Sequence, residues 1–255
     1  MSQKKFADKV AAVVTGGTRG IGLAIAESLA RAGADLAVTY VSDEKAALEA
    51  EAVLKAAFIH PEQKVMLLKG DVSDPDTVTA QYTKAREALG PILVLVNNAG
   101  IMPVRNFAAI EDETWRRTID INLSGAFYWM SRVFNDMKAA GRGRIVNMAS
   151  IAGRGGGVIG PHYAASKAGM FGLTRYAARE LGPFGITVNC VNPAFIMGAG
   201  PFVQISDERE KELAAKVVVP KLGECADVVN AFEYLMETPF VTGTGLDVNG
   251  GAFMI

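Results

Sequence analysis

Tyr163 and Lys167 stand four residues apart in "GPHYAASKAG" (160–169), with only small side chains between them. On a helix this spacing puts a phenol and an ammonium on one face, a turn apart, near enough for one charge to change the other group's acidity. Such a pair can hold and deliver a proton. Alone the spacing is weak evidence, because a chain of this composition contains a Tyr-x-x-x-Lys by accident in about one case in three. A reactant beside the pair would give it meaning, and Ala164, Ala165 and Ser166 keep the helix slim enough for one to approach.

A second constellation, "TGGTRGIG" (15–22), follows directly on the apolar run "KVAAVVT" (9–15). Gly16 at a tight turn lets backbone amides face a pyrophosphate, and Gly20 and Gly22 let a helix start pack closely against phosphate and strand. Turn glycines are common, so position carries the weight: this is the first strand-to-helix turn of an alternating pattern, the context a dinucleotide site requires. A bound nicotinamide would supply the missing reactant. Hydride transfer to a carbonyl leaves an alkoxide that needs a proton, and a phenol donates well only when its pKa, about 10 unperturbed, moves toward neutrality. A nearby ammonium and an oxidised nicotinamide ring would each stabilise the phenolate.

The elements that must position these groups are legible as short β-branched runs alternating with Ala- and Leu-rich segments. Strands are expected at 9–15, 35–40, 64–70, 92–98, 144–150 and 186–192, with a seventh in "GLDVNGG". Their near-continuous apolar character implies burial on both faces, hence parallel pairing. Helices are expected at 20–32, 43–57, 75–88, 113–139, 161–182 and 224–236, with Asp43 and Asp74-Pro75 as starts. The sum is an α/β, doubly wound Rossmann fold: a seven-stranded, mostly parallel sheet with helices on both faces, and a ligand crevice beyond the strands' carboxyl ends. Nothing marks a domain boundary, so residues 1–255 are read as one domain. The irregular stretch 193–222 follows the sixth strand, where it would overhang the crevice as a lid.

Composition narrows the partners. A net charge of −1 with mixed signs gives no basic stripe for nucleic acid and no polybasic arm for a membrane, so the expected partner is a small molecule. The basic N-terminal stretch 1–10 leads into an apolar run too short for a signal peptide, and no uncharged segment is long enough to span a bilayer. A cytoplasmic protein is expected. Cys190 and Cys225 lack metal-ligand spacing and are read as free thiols, and no metal site is expected.

The glycine spacing Gly-x-x-x-Gly-x-Gly, "NNAG" (97–100) after the fourth strand, Ser150 closing the fifth, and Tyr163 with Lys167 opening the next helix resemble the short-chain dehydrogenase/reductase family. The resemblance covers nearly the whole chain and is nearest to the family's 3-oxoacyl reductase members. It implies that Asn122 in "INLSG", Ser150, Tyr163 and Lys167 form the catalytic set. Ser150 would hold the carbonyl oxygen, and Asn122 a water linking Lys167 to solvent protons. It further implies cofactor contacts from Gly16, Thr18, Arg19, Gly20, Ile21 and Gly22, adenine contacts from Asp71 and Val72, and a ribose segment at Asn98, Ala99 and Gly100. Pro193 to Ile196 would hold the nicotinamide amide. A homotetramer, with 113–139 and 161–182 packed across one interface, is implied too.

Two places depart from the family pattern. At the end of the second strand Tyr40, followed by Val41 and Ser42, replaces the acid that would bind ribose hydroxyls and repel a 2′-phosphate. With Arg19 nearby this favours NADP over NAD, unless Asp43 turns inward instead of capping the next helix. After the sixth strand the usual Pro-Gly and later threonine give way to "PAFIMG", which removes one hydroxyl from the nicotinamide pocket. Met197, Phe202 and Val203 suggest an apolar lid. His162 is expected to point off the catalytic face, and Met170, Phe171 and 127–130 to be packing residues. The leading expectation is an NADPH-dependent 3-oxoacyl or ketone reductase. A sugar or hydroxysteroid dehydrogenase working oxidatively is the alternative enzyme, and a catalytically silent dinucleotide sensor the alternative of another class.

Overall fold

The computed structural model describes residues 10–254. The basic N-terminal stretch 1–9, and with it the first residue of the strand expected at 9–15, lies outside the described residues. The elements run β1 (Ala11–Val14), α1 (Gly20–Arg31), β2 (Asp35–Tyr40), α2 (Glu44–Ala56), β3 (Val65–Lys69), α3 (Pro75–Leu89), β4 (Ile92–Asn97), α4 (Asp112–Ile119) and α5 (Gly125–Ala140). They continue through β5 (Gly143–Met148), α6 (Ala152–Gly155), α7 (Pro161–Leu181), β6 (Ile186–Pro193), β7 (Ile196–Met197), α8 (Asp207–Ala214), β8 (Gly223–Glu224), α9 (Cys225–Glu237) and β9 (Gly245–Val248).

Seven strands form one sheet in the order β3-β2-β1-β4-β5-β6-β9, every pair parallel. The chain reverses its direction of winding between β1 and β4, which opens a crevice at their carboxyl ends. Strands β1, a continuous apolar run, and β6, which also buries Thr187, Asn189 and Asn192, are buried throughout, as strands covered on both faces must be. One layer, around Ile25, Leu29 and Phe232, packs α1 and α9 against the sheet. The other, around Trp129, Val133 and Leu181, packs α3, α5 and α7 on the opposite face.

Two expectations are corrected. The helix expected over 113–139 is broken by a π turn, Asp120–Ser124, between α4 and α5. The stretch 193–222 is not structureless: it holds β7, a 3₁₀ turn Gly200–Phe202 and α8, whose polar sequence "DEREKELA" hides a helix with one buried residue, Leu213. Among the described residues no helix is long and apolar enough to cross a membrane, and no group of three or more His, Cys, Asp or Glu could hold a metal. Cys190 and Cys225 are free thiols.

Candidate active site

Tyr163 and Lys167 lie one turn apart near the start of α7, which begins at Pro161 with Pro in its first turn. Both are buried, at 6% and 5% exposure. The Lys167 Nζ donates to the Met148 carbonyl at the end of β5 (2.6 Å) and lies 5.7 Å from the centre of the Tyr163 ring. Burial drives the Lys167 pKa down to about 8. Burial also raises the Tyr163 pKa, and a hydrogen bond from Ser150 only partly offsets this. Of the two expected acidifiers, the ammonium and an oxidised nicotinamide ring, the ammonium does not by itself bring the phenol below its ordinary value. The ammonium is committed to a backbone carbonyl and sits across the ring, while desolvation penalises phenolate.

Ser150 follows β5, and its Oγ also accepts the Ala152 N–H (3.1 Å). Asn122 sits inside the π turn, whose extra residue changes the direction in which the helix projects its side chains. Both its amide protons are used, one on the Ile101 carbonyl (2.9 Å) and one on Ser166 Oγ (3.2 Å), while Oδ1 accepts the Ile101 N–H (2.8 Å). Asn122 thus clamps the loop after β4 to α7. One Oδ1 lone pair is left, and it faces Gly100: a methyl placed on Gly100 would lie 3.2 Å from Asn122 Oδ1 and 3.7 Å from Lys167 Nζ.

The glycine turn joins β1 to α1. Gly16 and Gly20 have φ of 61° and 54°, in the region that favours glycine. A methyl on Gly22 would come within 2.4 Å of both Asn98 Nδ2 and the Gly16 carbonyl. Asn98 Nδ2 donates to the carbonyls of Thr15 (3.0 Å) and Gly16 (2.9 Å), and the Thr15 hydroxyl accepts the N–H groups of Asn98 and Ala99. Thr39 Oγ1 accepts the Gly16 N–H (3.1 Å). Helix α1 has no side-chain cap, so its N-terminal amides and dipole face the crevice. A strained, Cβ-free turn opening onto an uncapped helix start fits a dinucleotide's diphosphate. Thr18 and Ile21 are half-buried there and Arg19 is exposed.

The remaining cofactor candidates surround this turn. Tyr40 ends β2 half-buried, and Ser42 is exposed beyond it. Asp43 caps α2 by accepting the Ala46 N–H (3.0 Å), so its carboxylate is turned to the helix. Val72 is buried against Gly125. Asp71 is engaged by Ser73 and Arg117; burial opposes the effect, but these hydrogen bonds hold its carboxyl below the ordinary range. Pro193 is buried and its carbonyl accepts the Ile151 N–H (3.3 Å). Ile196 turns its side chain into the core and its backbone into β7. Residues 198–200 reach over the crevice: Ala199 Cα lies 3.4 Å from where a Gly20 methyl would sit, and Met102 Sδ 3.5 Å from where a Gly200 methyl would sit.

Some expected outsiders stay outside. His162 is wholly buried, with Nε2 bonded to the Pro103 carbonyl at 2.9 Å. Met170, Phe171, Trp129 and Met130 are buried, whereas Phe127 is exposed. The sequence reading missed Thr15, Thr39 and Ser166, small hydroxyls whose roles depend on partners distant in the chain.

Comparison with known proteins decides the family. The sequence pattern of the short chain dehydrogenases matches residues 10–209. The chain belongs to the short chain dehydrogenase family. This short chain dehydrogenase is 34% identical over 245 residues to the 3-oxoacyl-[acyl-carrier-protein] reductase of Staphylococcus aureus, covering 95% of this chain and 98% of that protein. It is 35% identical over 252 residues to the Escherichia coli enzyme of the same name, covering 98% and 99%. Among solved structures, a Brucella melitensis 3-oxoacyl-[acyl-carrier protein] reductase with bound NAD superimposes with a TM-score of 0.85 at 31% identity, covering 96% of this chain and 92% of that one. As a short chain dehydrogenase the protein is an NAD(P)-dependent oxidoreductase that interconverts a carbonyl and an alcohol.

Proposed function

We propose that this short chain dehydrogenase is an NADPH-dependent reductase of 3-oxoacyl thioesters or related ketones, with Asn122, Ser150, Tyr163 and Lys167 as its catalytic set. The observation that carries the reading is the burial of Tyr163 between Ser150 and Lys167 beside a glycine turn shaped for a diphosphate. The glycine turn and the start of α1 would hold a reduced nicotinamide cofactor, which would supply the hydride. Ser150 holds the substrate oxygen, and Tyr163 gives that oxygen its proton. Lys167 replaces the proton and recovers its own from solvent, through a water in the space that Gly100 leaves between its Nζ and Asn122 Oδ1. A lysine with a pKa of about 8 exchanges protons near neutrality far more readily than one near 10.5.

NADPH is favoured because no free acid stands at the end of β2. Asp43 caps α2, Glu44 pairs with Lys69 at 2.5 Å, and Arg19 and Ser42 remain exposed to meet a 2′-phosphate. The substrate class rests on the similarity to the 3-oxoacyl reductases and on the apolar first part of the lid, where Phe195 and Phe202 meet edge to face at 5.8 Å. We assign the whole chain to one domain, working as a cytoplasmic homotetramer.

The test follows 340 nm absorbance with NADPH or NADH against a panel of 3-oxoacyl thioesters, ketones, sugars and hydroxysteroids. Reduction of oxoacyl thioesters with NADPH preferred is expected. Oxidation of sugars or hydroxysteroids alone would select the oxidative reading, and cofactor binding with no turnover a sensor. Tyr163→Phe is expected to lower kcat/KM about a thousandfold while cofactor affinity stays near the parent's.

A further inference from the structure

Arg154 lies in α6, four residues beyond Ser150, and reaches across the carboxyl edge of the sheet. Its Nε donates to Asp247 Oδ1 (3.0 Å) and its Nη2 to the Gly245 carbonyl (3.0 Å), both on β9. The same Asp247 oxygen accepts Asn192 Nδ2 (2.8 Å), one residue before Pro193. Its guanidinium lies 4.8 Å from the centre of the Phe171 ring, one turn along α7 from Lys167. The ion pair is largely withdrawn from water, with side-chain exposures of 15% and 24%.

The backbone of α6 is equally constrained. Gly153 lies so close to α7 that a methyl there would meet the Lys167 carbonyl carbon at 2.5 Å. The Ile151 N–H donates to the Pro193 carbonyl. The segment that carries Ser150 therefore touches the Lys167 turn on one side and the end of β6 on the other, and Arg154 is the side chain that ties it to β9.

We infer that Arg154 is a positioning residue: with Asp247 and Asn192 it braces the Ser150 segment against α7 and β6, so that Ser150 and Tyr163 stay in register for the reaction. The inference rests on the catalytic set proposed above. A bidentate guanidinium suits the task, since its two donors lock both the distance and the orientation of α6 relative to β9. A shift of about 1 Å at Ser150 is enough to cost a large factor in rate.

The experiment compares the parent with Arg154→Met, Arg154→Lys and the double variant Arg154→Met/Asp247→Asn, which removes the carboxylate charge stranded by the first change. Expected for Arg154→Met are a kcat lowered about 10- to 100-fold, NADPH affinity near the parent's, and faster amide exchange over 150–155. The alkaline fall-off of kcat for reduction should move to higher pH, because Tyr163 loses the hydrogen bond that offsets its burial. Arg154→Lys should recover part of kcat, and the double variant should recover melting temperature without recovering kcat. A kcat for Arg154→Met within about twofold of the parent, or a double variant whose kcat returns together with its melting temperature, overturns the brace. A parent that turns over no carbonyl defeats the proposed reaction instead; exchange needs no substrate, and unchanged exchange over 150–155 in Arg154→Met then overturns the brace separately.

Discussion

Lys167 carries an ammonium into a place where water scarcely reaches. Its pKa of about 8, against 10.5 unperturbed, means that the unfolded chain binds a proton more tightly at this position than the folded one. The sign follows: as pH rises from about 8 to 10.5, the native lysine sheds its proton before the unfolded one does, so this residue's contribution to stability becomes more favourable across that window. Unfolding by urea at pH 7.5 and pH 10.5 should show the parent gaining about 2–3 kcal/mol relative to Lys167→Met; a constant difference would mean that the charge is not desolvated. A second expectation concerns the space beside it. Gly100→Ala puts a methyl between Asn122 Oδ1 and Lys167 Nζ, where a relaying water would sit, at a φ that alanine accepts. Its kcat should fall about tenfold, and an unaltered kcat would deny the relay.

At the scale of elements, the sheet positions the site because charged groups fix how helices dock on it. Asp136 on α5 is buried; its Oδ1 accepts Arg86 Nε of α3 (2.7 Å) and its Oδ2 the Ile92 N–H that opens β4 (3.1 Å). Asp136→Ala strands that N–H and removes the helix-to-helix tie, so it should destabilise by about 2–4 kcal/mol. Since the crevice lies at the other end of β4, NADPH affinity of the folded fraction should hold, as measured by equilibrium unfolding and titration. The principal strands were legible in the sequence because burial on both faces keeps them mostly apolar, with only scattered polar residues such as Thr39, Asn147 and Asn189. The glycine turn was legible because its spacing is set by backbone conformation. What the sequence hides is anything decided by partners far along the chain. "DINLS" reads as ordinary helix until the clamp on Ile101 shows why a π turn is tolerated there. Arg154 looks like a solvated charge beside a glycine run until Asp247, 93 residues on, is found against it.

Among the described residues, large apolar side chains stand exposed on the outer faces of several helices. Helices α5 and α7 lie in the same layer, and their outer faces present Phe127 at 52% and Tyr176 at 69% exposure. On α7, a methyl added at Gly172 would meet nothing within 4 Å, so the helix surface there is open to close approach. Large aromatic side chains beside a slim helix stretch suit a self-complementary, two-fold interface, in which α5 and α7 of one subunit meet those of another. The catalytic helix would then be held from outside as well as from the sheet, since α7 carries Tyr163 and Lys167 at one end and Tyr176 further along. Sedimentation should show the parent as a tetramer. Phe127→Glu, which buries a carboxylate with no partner at the centre of such a contact, should split it into smaller species and lower kcat with them. A Phe127→Glu protein that sediments and turns over like the parent would place the assembly on another face.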